Sequence, residues 1–256
     1  MLLATDIGNT NIVLGIFEGR QLVNDWRIAT RKNQTADEYG LLIRYLFSLS
    51  QINLQDITDI IMACVVPPLL PVMMEMFERY LGITPMIIGP GIKTGIQLLV
   101  DNPREVGADR IVNAVAAYEK YGGPTIIVDF GTATTFDVIS RKGDYLGGVI
   151  APGITISTEA LFHEAAKLPR VDLIKPRSVI GKNTVHSIQS GVIYGYVSLV
   201  DGIVNRIKKE LGEEASVGAT GGLAGLIAPI SETIKDVDPF LTLKGLQIIF
   251  ERNKRA

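Results

Sequence analysis

The sequence is nearly free of the residues that build disulfides and soft-metal sites. Its 256 residues include one cysteine, Cys64, and two histidines, His163 and His186. A single cysteine excludes a disulfide within the chain and favours a reducing compartment such as the cytoplasm. Neither histidine has metal-ligand spacing with the other or with the cysteine, so a zinc site of the His/Cys type is excluded too.

Charge of one sign and uninterrupted apolar segments are also scarce. Charged residues make up 20% of the chain, hydrophobic residues 47%, and the formal net charge is −2, which is the composition of a globular protein. Lysine and arginine nowhere form a run of five or more, so neither a nucleic-acid partner nor an anionic membrane is expected. The apolar run between Asp59 and Glu75 contains three prolines and is too short to span a bilayer as a helix.

Three frequent catalytic signatures are missing. Gly181-Lys182 is followed by Asn183, and proline occupies the position of the first P-loop glycine. No G-x-G-x-x-G follows a predicted strand, so a dinucleotide fold has no support, and the hydrolase elbow G-x-S-x-G does not occur. The chemistry therefore has to come from other motifs.

One short pattern occurs twice. Near the N-terminus, an apolar strand leads into a polar turn that begins at Asp6 and is followed by a second strand. The same order of strand, turn and strand returns in the second half, with a turn that begins at Asp129. The repetition predicts two related halves, residues 1–120 and 121–256, with the active site in the cleft between them.

Capping signals and apolar spacing predict the other elements. Thr35-Ala36-Asp37-Glu38 has the form of a capping box before a helix, and a buried strand is predicted at 59–66. Strands that alternate with helices indicate an α/β fold. The remaining predicted elements are a helix that starts near Gly107, helices at 155–168, 187–211 and 241–252, and a short strand at 215–219.

The two Asp turns are the strongest candidates for a phosphate site. In each, a strand delivers an aspartate and a glycine then frees the backbone, so that successive N–H groups can form an anion-binding nest. The aspartate repels phosphate and would instead hold a cation or a water on it. Neither turn contains Lys or Arg, so metal ions and dipoles have to neutralise a nucleoside triphosphate. One such turn alone is more typical of an ordinary β-hairpin, but the pair, with the Gly221-Gly222 turn besides, favours a functional site.

A third motif, Gly107-Ala108-Asp109-Arg110, opens the predicted helix. Asp109 complements the helix dipole there, and that alone would explain it. Arg110 is unfavourably placed at a helix N-terminus unless an anion holds it. A neighbouring acid and guanidinium could serve as a base and as a clamp for carboxylate or phosphate.

In their order along the chain, these motifs resemble those of type III pantothenate kinase, a family of the acetate and sugar kinase/Hsp70/actin superfamily. The resemblance covers essentially the whole chain. It implies an α/β fold of two ribonuclease H-like halves, the actin-like ATPase fold, and phosphorylation of pantothenate by ATP, the first step of coenzyme A synthesis. The motifs that carry it are Asp6-Ile7-Gly8-Asn9-Thr10-Asn11, Gly107-Ala108-Asp109-Arg110, Asp129-Phe130-Gly131-Thr132-Ala133-Thr134-Thr135 and Ala219-Thr220-Gly221-Gly222-Leu223-Ala224.

The resemblance also implies cofactors, a partner and roles for single residues. ATP is expected with Mg²⁺ and a monovalent cation, K⁺ or NH₄⁺, and the protein is expected to form a homodimer. Asp109 is expected to be the general base and Asp129 a ligand of the monovalent ion, while the Gly221-Gly222 turn would lie by the adenosine. ATP phosphates are expected at Asp6, Ile7, Gly8, Asn9, Thr10, Asn11, Ile12, Val13 and Thr132. Pantothenate is expected at Val100, Gly107, Ala108, Asp109, Arg110 and Thr184.

Two features qualify this interpretation. Val100 precedes Asp101-Asn102-Pro103, where the family commonly has a tyrosine, so we expect a missing substrate contact that affects affinity more than chemistry. The helix at 187–211 has an apolar face wider than one core needs, and we expect part of it, or its neighbours, in a two-fold dimer. Burial of that face within a single chain would explain it nearly as well.

Two other functions fit parts of the sequence. A related kinase that acts on acetate or a sugar is disfavoured by the block from Gly107 to Arg110, although spacing alone leaves it open. A non-catalytic transcriptional regulator, as described for relatives of the family, is disfavoured by the mildly acidic charge and the lack of a predicted DNA-reading helix. Consumption of ATP only when pantothenate is present would distinguish the three.

Overall fold

A computed structural model describes residues 1–165 and 167–254, which fold into two compact units. Unit 1 comprises Met1–Ile96, Asp101–Ala116 and the C-terminal stretch that begins at Leu241. Unit 2 comprises Gln97–Val100 and Ala117–Phe240. The chain thus passes between the units after residues 96, 100, 116 and 240, and the last helix groups with unit 1 and not with residues 121–240. The physical reason is its packing, because Leu243 of that helix lies against Gly15 of the first sheet.

The sheet of unit 1 has five strands in the order β3-β2-β1-β4-β5. The first three strands form an antiparallel meander, and β4 and β5 continue the sheet parallel to β1. This order arises because tight turns join the meander, whereas a helix carries the chain over to each parallel strand. The strands are β1 Leu2–Ile7, β2 Asn11–Glu18, β3 Gln21–Ala29, β4 Asp59–Cys64 and β5 Met86–Ile87.

The sheet of unit 2 repeats this topology in the order β10-β9-β6-β7-β8. Here β6, β7 and β8 form the antiparallel meander, while β9 and β10 follow in parallel. The shared topology confirms the predicted α/β fold of two related halves. The strands are β6 Thr125–Phe130, β7 Ala133–Ile139, β8 Tyr145–Pro152, β9 Ser216–Thr220 and β10 Asp236–Val237.

Seven α-helices accompany the sheets within the described residues. The predicted capping box is present before the first helix, since Thr35 and Glu38 bond each other's backbone N–H groups. The predicted helix at 155–168 is shorter than expected and ends at Glu164; residue 166 of that prediction lies outside the described residues. The helices are α1 Ala36–Leu49, α2 Leu69–Leu81, α3 Ala108–Tyr121, α4 Ile154–Glu164, α5 Thr184–Leu211, α6 Ala224–Ile227 and α7 Leu241–Lys254.

Each unit has its own apolar core. In unit 1, one face of the β1–β2 hairpin packs with α1 and α2, and fully buried Tyr39, Phe47 and Phe77 fill the space between them. In unit 2, alternate residues of β6 and β9 pack against α5. The wide apolar face of α5 is used there, because Ile193 and Val200 are buried and Tyr196 packs against the same cluster. Burial within the chain therefore explains that face.

No helix in the ranges 1–165 and 167–254 is both long enough and apolar enough to cross a membrane.

Asp201 of α5 holds the loop that leads to β10. Its carboxylate accepts hydrogen bonds from the Ser231 hydroxyl at 2.6 Å, the Thr233 hydroxyl at 2.6 Å, and the N–H groups of Glu232 at 3.0 Å and Thr233 at 3.1 Å. Partial burial raises the pKa of Asp201, but the hydrogen bonds outweigh burial, and its pKa lies below the usual aspartate range.

We expect Asp201→Asn to lower the free energy of unfolding by about 2 kcal/mol, the typical contribution of hydrogen bonds to a charged group. An amide accepts through one oxygen only and turns its NH₂ group toward the remaining donors. Because the pKa is lower in the folded chain, the contribution is complete above the ordinary aspartate pKa and disappears as the pH falls through the folded value.

Urea unfolding of parent and variant at neutral pH and at a series of acidic pH values measures both effects. Asp25→Asn, at an exposed position of β3, is the matched control. An unchanged midpoint at neutral pH, or a difference that does not shrink in acid, would contradict the assigned role of Asp201.

Candidate active site

The first Asp turn connects β1 to β2. Asp6 lies opposite Val13 in the strand register, one residue before the end of β1. The Gly8 N–H donates to the Asn11 carbonyl at 3.0 Å and closes the turn. Thr30 holds the turn from β3, because its hydroxyl donates to the Gly8 carbonyl at 2.7 Å. Asn9 and Thr10 at the tip are exposed.

The second Asp turn has the corresponding place in unit 2, between β6 and β7. Asp129 lies opposite Thr135, again one residue before the strand ends. The Gly131 N–H donates to the Ala133 carbonyl at 3.0 Å, so this turn is one residue shorter than the first. Gly131 and Thr132 are exposed. The structure therefore places Asp6 and Asp129 at equivalent positions of two sheets with the same topology.

The Gly221-Gly222 turn lies directly beside Asp129. β9 runs parallel to β6 with Thr220 opposite Asp129, and Gly221 follows with a φ of +93°. A Cβ atom on Gly221 would stand 2.5 Å from a carboxylate oxygen of Asp129 and 2.6 Å from the Phe130 nitrogen. Only glycine fits here, for conformational and steric reasons together. Two motifs that are about ninety residues apart in the sequence thus form one site within unit 2.

Asp109 occupies the first turn of α3 in unit 1. One of its carboxylate oxygens accepts the N–H of Arg110 at 2.8 Å. A Cβ atom on Gly107 would stand 2.5 Å from that oxygen, so glycine leaves room for the carboxylate. Burial raises the pKa of Asp109, and the Arg110 N–H and guanidinium charge only partly offset this. Asp109 is therefore a stronger base than an ordinary aspartate.

Val100 and Thr184 belong to unit 2. Val100 is half-buried at the end of a segment that pairs with β8, where the Leu99 N–H donates to the Tyr145 carbonyl at 2.8 Å. Thr184 is exposed at the first position of α5, after Asn183 caps the helix by accepting the His186 N–H at 2.8 Å. Gly107 to Arg110 belong to unit 1.

Thr184 lines a cavity of about 800 Å³ that no sequence motif predicts. Its walls come from α4, from α5 and from the segment before α5. They are mainly apolar, as at Leu161 and Val192, with hydroxyl groups from Ser157 and Thr158. Such a lining suits a small organic molecule with few polar groups. The spacing of residues in the sequence does not predict this cavity, because most of its lining residues have the pattern of ordinary helix faces.

The candidate cation ligands are single carboxylates and not clusters of them. Within the described part of the chain, no three His, Cys, Asp or Glu side chains come together in a metal-binding cluster. A cation bound with ATP does not need such a cluster, since Mg²⁺ is commonly held by one or two carboxylates and by phosphate oxygens. The Asp129 carboxylate fits this requirement as a single ligand, and Gly221 leaves room for it, since a Cβ atom there would stand 2.5 Å from a carboxylate oxygen.

Comparison with known proteins gives consistent results. A family model described as type III pantothenate kinase matches residues 2–206. The type III pantothenate kinase of Geobacter sulfurreducens is 59% identical over 254 residues, which cover 99% of this chain and 100% of that protein. That of Moorella thermoacetica is 58% identical over 253 residues, or 99% of this chain and 100% of the relative.

A solved structure supports the fold alone. The crystal structure of a protein from Campylobacter jejuni, titled as a Baf family transcriptional activator, has a TM-score of 0.64 and is 20% identical in sequence. The structural match covers 99% of this chain and 100% of the Campylobacter jejuni chain.

Proposed function

The chain belongs to the type III pantothenate kinase family, and from that premise we propose which of its residues bind ATP, cations and pantothenate. The enzyme phosphorylates pantothenate with ATP in the biosynthesis of coenzyme A. The structural observation that supports the proposal best is the Asp109 carboxylate in the first turn of α3, where Gly107 leaves room for it. The decisive test is whether the purified protein consumes ATP only when pantothenate is present, with acetate and sugars as controls. Turnover with either control at a similar rate would contradict it.

The two Asp turns are the proposed binding sites of the ATP phosphates. Backbone N–H groups at the exposed tips of the 6–13 loop and of the Thr132 turn would donate to phosphate oxygens, and both turns contain a glycine. The Gly221-Gly222 turn is the proposed neighbour of the adenosine. It presents backbone without side chains, which suits the close approach of a flat ring system.

Cations are proposed to neutralise the triphosphate, since neither turn has a basic side chain. Asp129 would hold the monovalent ion, K⁺ or NH₄⁺, and Asp6 would face Mg²⁺ through water. When bound, these ions supply positive charge to the phosphate oxygens in the transition state. The chain's own contribution is to place the two carboxylates near strand ends, where β-sheet pairing fixes the backbone that carries them. A cytoplasmic location is part of the same proposal, in keeping with a single cysteine.

Asp109 is the proposed general base. The transition state of phosphoryl transfer is loose, so the attacking hydroxyl needs orientation more than early deprotonation. A carboxylate with a raised pKa suits this role, because it accepts a hydrogen bond first and the proton late. Arg110 would hold the pantothenate carboxylate, and Thr184 would contact the same substrate.

We expect Arg110→Ala to raise the KM for pantothenate about 10- to 100-fold, the range of a hydrogen bond between charged groups. In the parent protein the Arg110 guanidinium lowers the pKa of Asp109, so removal of this group should raise that pKa further in the variant. The acid limb of kcat/KM, which needs ionised Asp109, should therefore move to higher pH. Steady-state kinetics over a pH series measure both changes. Arg104→Ala, at an exposed position nearby, is the control, and an unshifted acid limb would contradict the electrostatic coupling.

A homodimer is proposed, with unit 2 as its interface. Large exposed apolar side chains are concentrated in this unit, on β8 at Ile150, on α4 at Ile156 and before α5 at Ile180, which is 80% exposed. A second copy is the occupant that the family resemblance implies, and a self-complementary apolar surface serves a two-fold dimer.

Sedimentation at micromolar concentration should give the mass of two chains. Ile180→Asp and Ile150→Asp should give monomers, while Leu49→Asp, 64% exposed on α1 of unit 1, should remain dimeric. A monomeric parent protein would overturn the dimer, and dissociation by Leu49→Asp alone would overturn the interface.

A further inference from the structure

The start of α4 lies directly against the second Asp turn. Gly153 precedes this helix, and a Cβ atom on it would stand 2.1 Å from the carbonyl oxygen of Thr132 and 2.9 Å from that of Gly131. These distances exclude any side chain. In the strand register Pro152 lies opposite Ala133, so the β8–α4 junction continues alongside the turn. The position of Gly153 therefore limits where the backbone of Thr132 can lie.

Tyr196 of α5 binds the same junction. Its hydroxyl lies 3.1 Å from the Pro152 carbonyl, 3.1 Å from the Gly153 carbonyl and 2.6 Å from the Ser157 hydroxyl. A tyrosine hydroxyl donates one hydrogen bond, so the Pro152 carbonyl, the Gly153 carbonyl and the Ser157 hydroxyl are alternative acceptors for it. The ring packs against the core of unit 2, which fixes the hydroxyl in place.

We propose that Tyr196 is a positioning residue for the ATP phosphates, acting through the Pro152–Gly153 junction on the Gly131-Thr132 turn. Its hydroxyl holds the junction carbonyls, the junction supports the turn by direct backbone contact, and the turn presents Thr132 to the nucleotide. The inference rests on the proposed role of Thr132. It adds a residue that none of the sequence motifs contains and that lies more than sixty positions from the turn it positions.

Two other roles for Tyr196 make different predictions. If it only fills the core, loss of the hydroxyl changes stability without changing either KM. If it acts as a wall of the cavity that also includes Thr184, loss of the hydroxyl changes the KM for pantothenate. Positioning of the phosphate turn changes the KM for ATP instead.

Tyr196→Phe keeps the ring and removes the hydroxyl. We expect the KM for ATP to rise about three- to tenfold, the range of one neutral hydrogen bond, and the KM for pantothenate to stay within about twofold. Tyr194→Phe, on the same helix, is the matched control and should leave both unchanged. An unchanged KM for ATP, or a change confined to pantothenate, would overturn the inference. Should Tyr196→Phe not fold, Tyr196→Met, which keeps an adaptable apolar side chain and also lacks the hydroxyl, is judged by the same two constants.

Thr132→Val separates this inference from the proposal on which it rests. If Thr132→Val leaves the KM for ATP unchanged, the phosphate role of Thr132 is wrong, and the inference is overturned with it. If Thr132→Val raises that KM and Tyr196→Phe does not, the inference alone is wrong. When both raise it, the double variant should show less than the product of the single effects, because both residues act through one turn. Full multiplicativity would mean that they act independently and would overturn the proposed route.

Discussion

Asp109→Asn should lower kcat about 10²–10⁴-fold, the usual contribution of a positioned base. The substitution keeps the shape of the side chain and its position in the first turn of α3, but it removes the proton acceptor. Nucleotide affinity should change little, since the ATP phosphates are assigned to other residues. Rapid-quench measurement of phosphopantothenate formation, together with ATP titration of the variant, tests the two statements separately.

The control variants for Asp109 are set by its immediate neighbours. Glu105→Gln removes an exposed carboxylate a few residues before α3 and should leave kcat unchanged. Gly107→Ala places a methyl group 2.5 Å from a carboxylate oxygen of Asp109, so the carboxylate has to move. This variant should therefore lower kcat although Asp109 itself is intact. If Asp109→Asn retained turnover within a few-fold of the parent, Asp109 would be a helix-start acid only, and the base would have to be another residue.

Asp129→Ala should abolish the stimulation of the enzyme by K⁺ or NH₄⁺. With no basic side chain in either Asp turn, the triphosphate depends on bound cations for neutralisation. Loss of one such stabilising charge should lower kcat on the order of 10²-fold at saturating K⁺, comparable to removal of a preorganised donor in other enzymes. Initial rates over a K⁺ series, at fixed ionic strength and with Mg²⁺ in excess, give the effect.

Two further variants show whether the site itself is responsible. Asp172→Ala, at an exposed position of the same unit, should keep full K⁺ activation. Gly221→Ala should weaken it although Asp129 is present, because the added methyl group would collide with the carboxylate. Full activity of the parent enzyme in a buffer of bulky organic cations with Mg²⁺ would refute the requirement for a monovalent ion.

Helix α2 shows where local sequence signals were insufficient. Pro67, Pro68 and Pro71 interrupt the apolar run after β4, and α2 is not among the helices predicted from the sequence. The structure has Pro68 at the N-cap and Pro71 within the first turn of α2, where a missing N–H costs nothing. The run continues as a helix because Met73, Met76 and Phe77 are buried in the core of unit 1. This tertiary burial outweighs the local preference of the prolines for a turn.

Cysteine chemistry gives a second comparison between sequence and structure. Cys64 was expected in a buried strand, and it ends β4, half-buried and opposite Ile7 in the parallel register. Burial raises the pKa of its thiol, with the Asp6 charge as a further cause, so the thiol is a weak nucleophile at neutral pH. The predicted place of Cys64 in a buried strand agrees with a weakly reactive thiol. The proximity of Asp6, however, depends on strand pairing and could not be predicted from the sequence.

Local sequence was sufficient to predict the features whose physical causes lie within a few residues. The capping box at Thr35 is satisfied by a residue three positions away, and each Asp turn is closed by a bond across two or three residues. The order of the motifs was likewise sufficient to indicate the kinase family, and the repetition of the Asp turn indicated two related halves. The roles of the single site residues stay predictions that kinetics can test.

Only the tertiary structure decided which distant residues meet. Gly221 lies against Asp129 because β9 pairs in parallel with β6, and a parallel partner arrives after a long crossover whose destination local spacing does not encode. In the same way, Tyr196 reaches the Pro152–Gly153 junction because α5 packs on the core beneath it. The raised pKa of Asp109 has the same origin, since burial, its largest cause, exists only once the chain has folded.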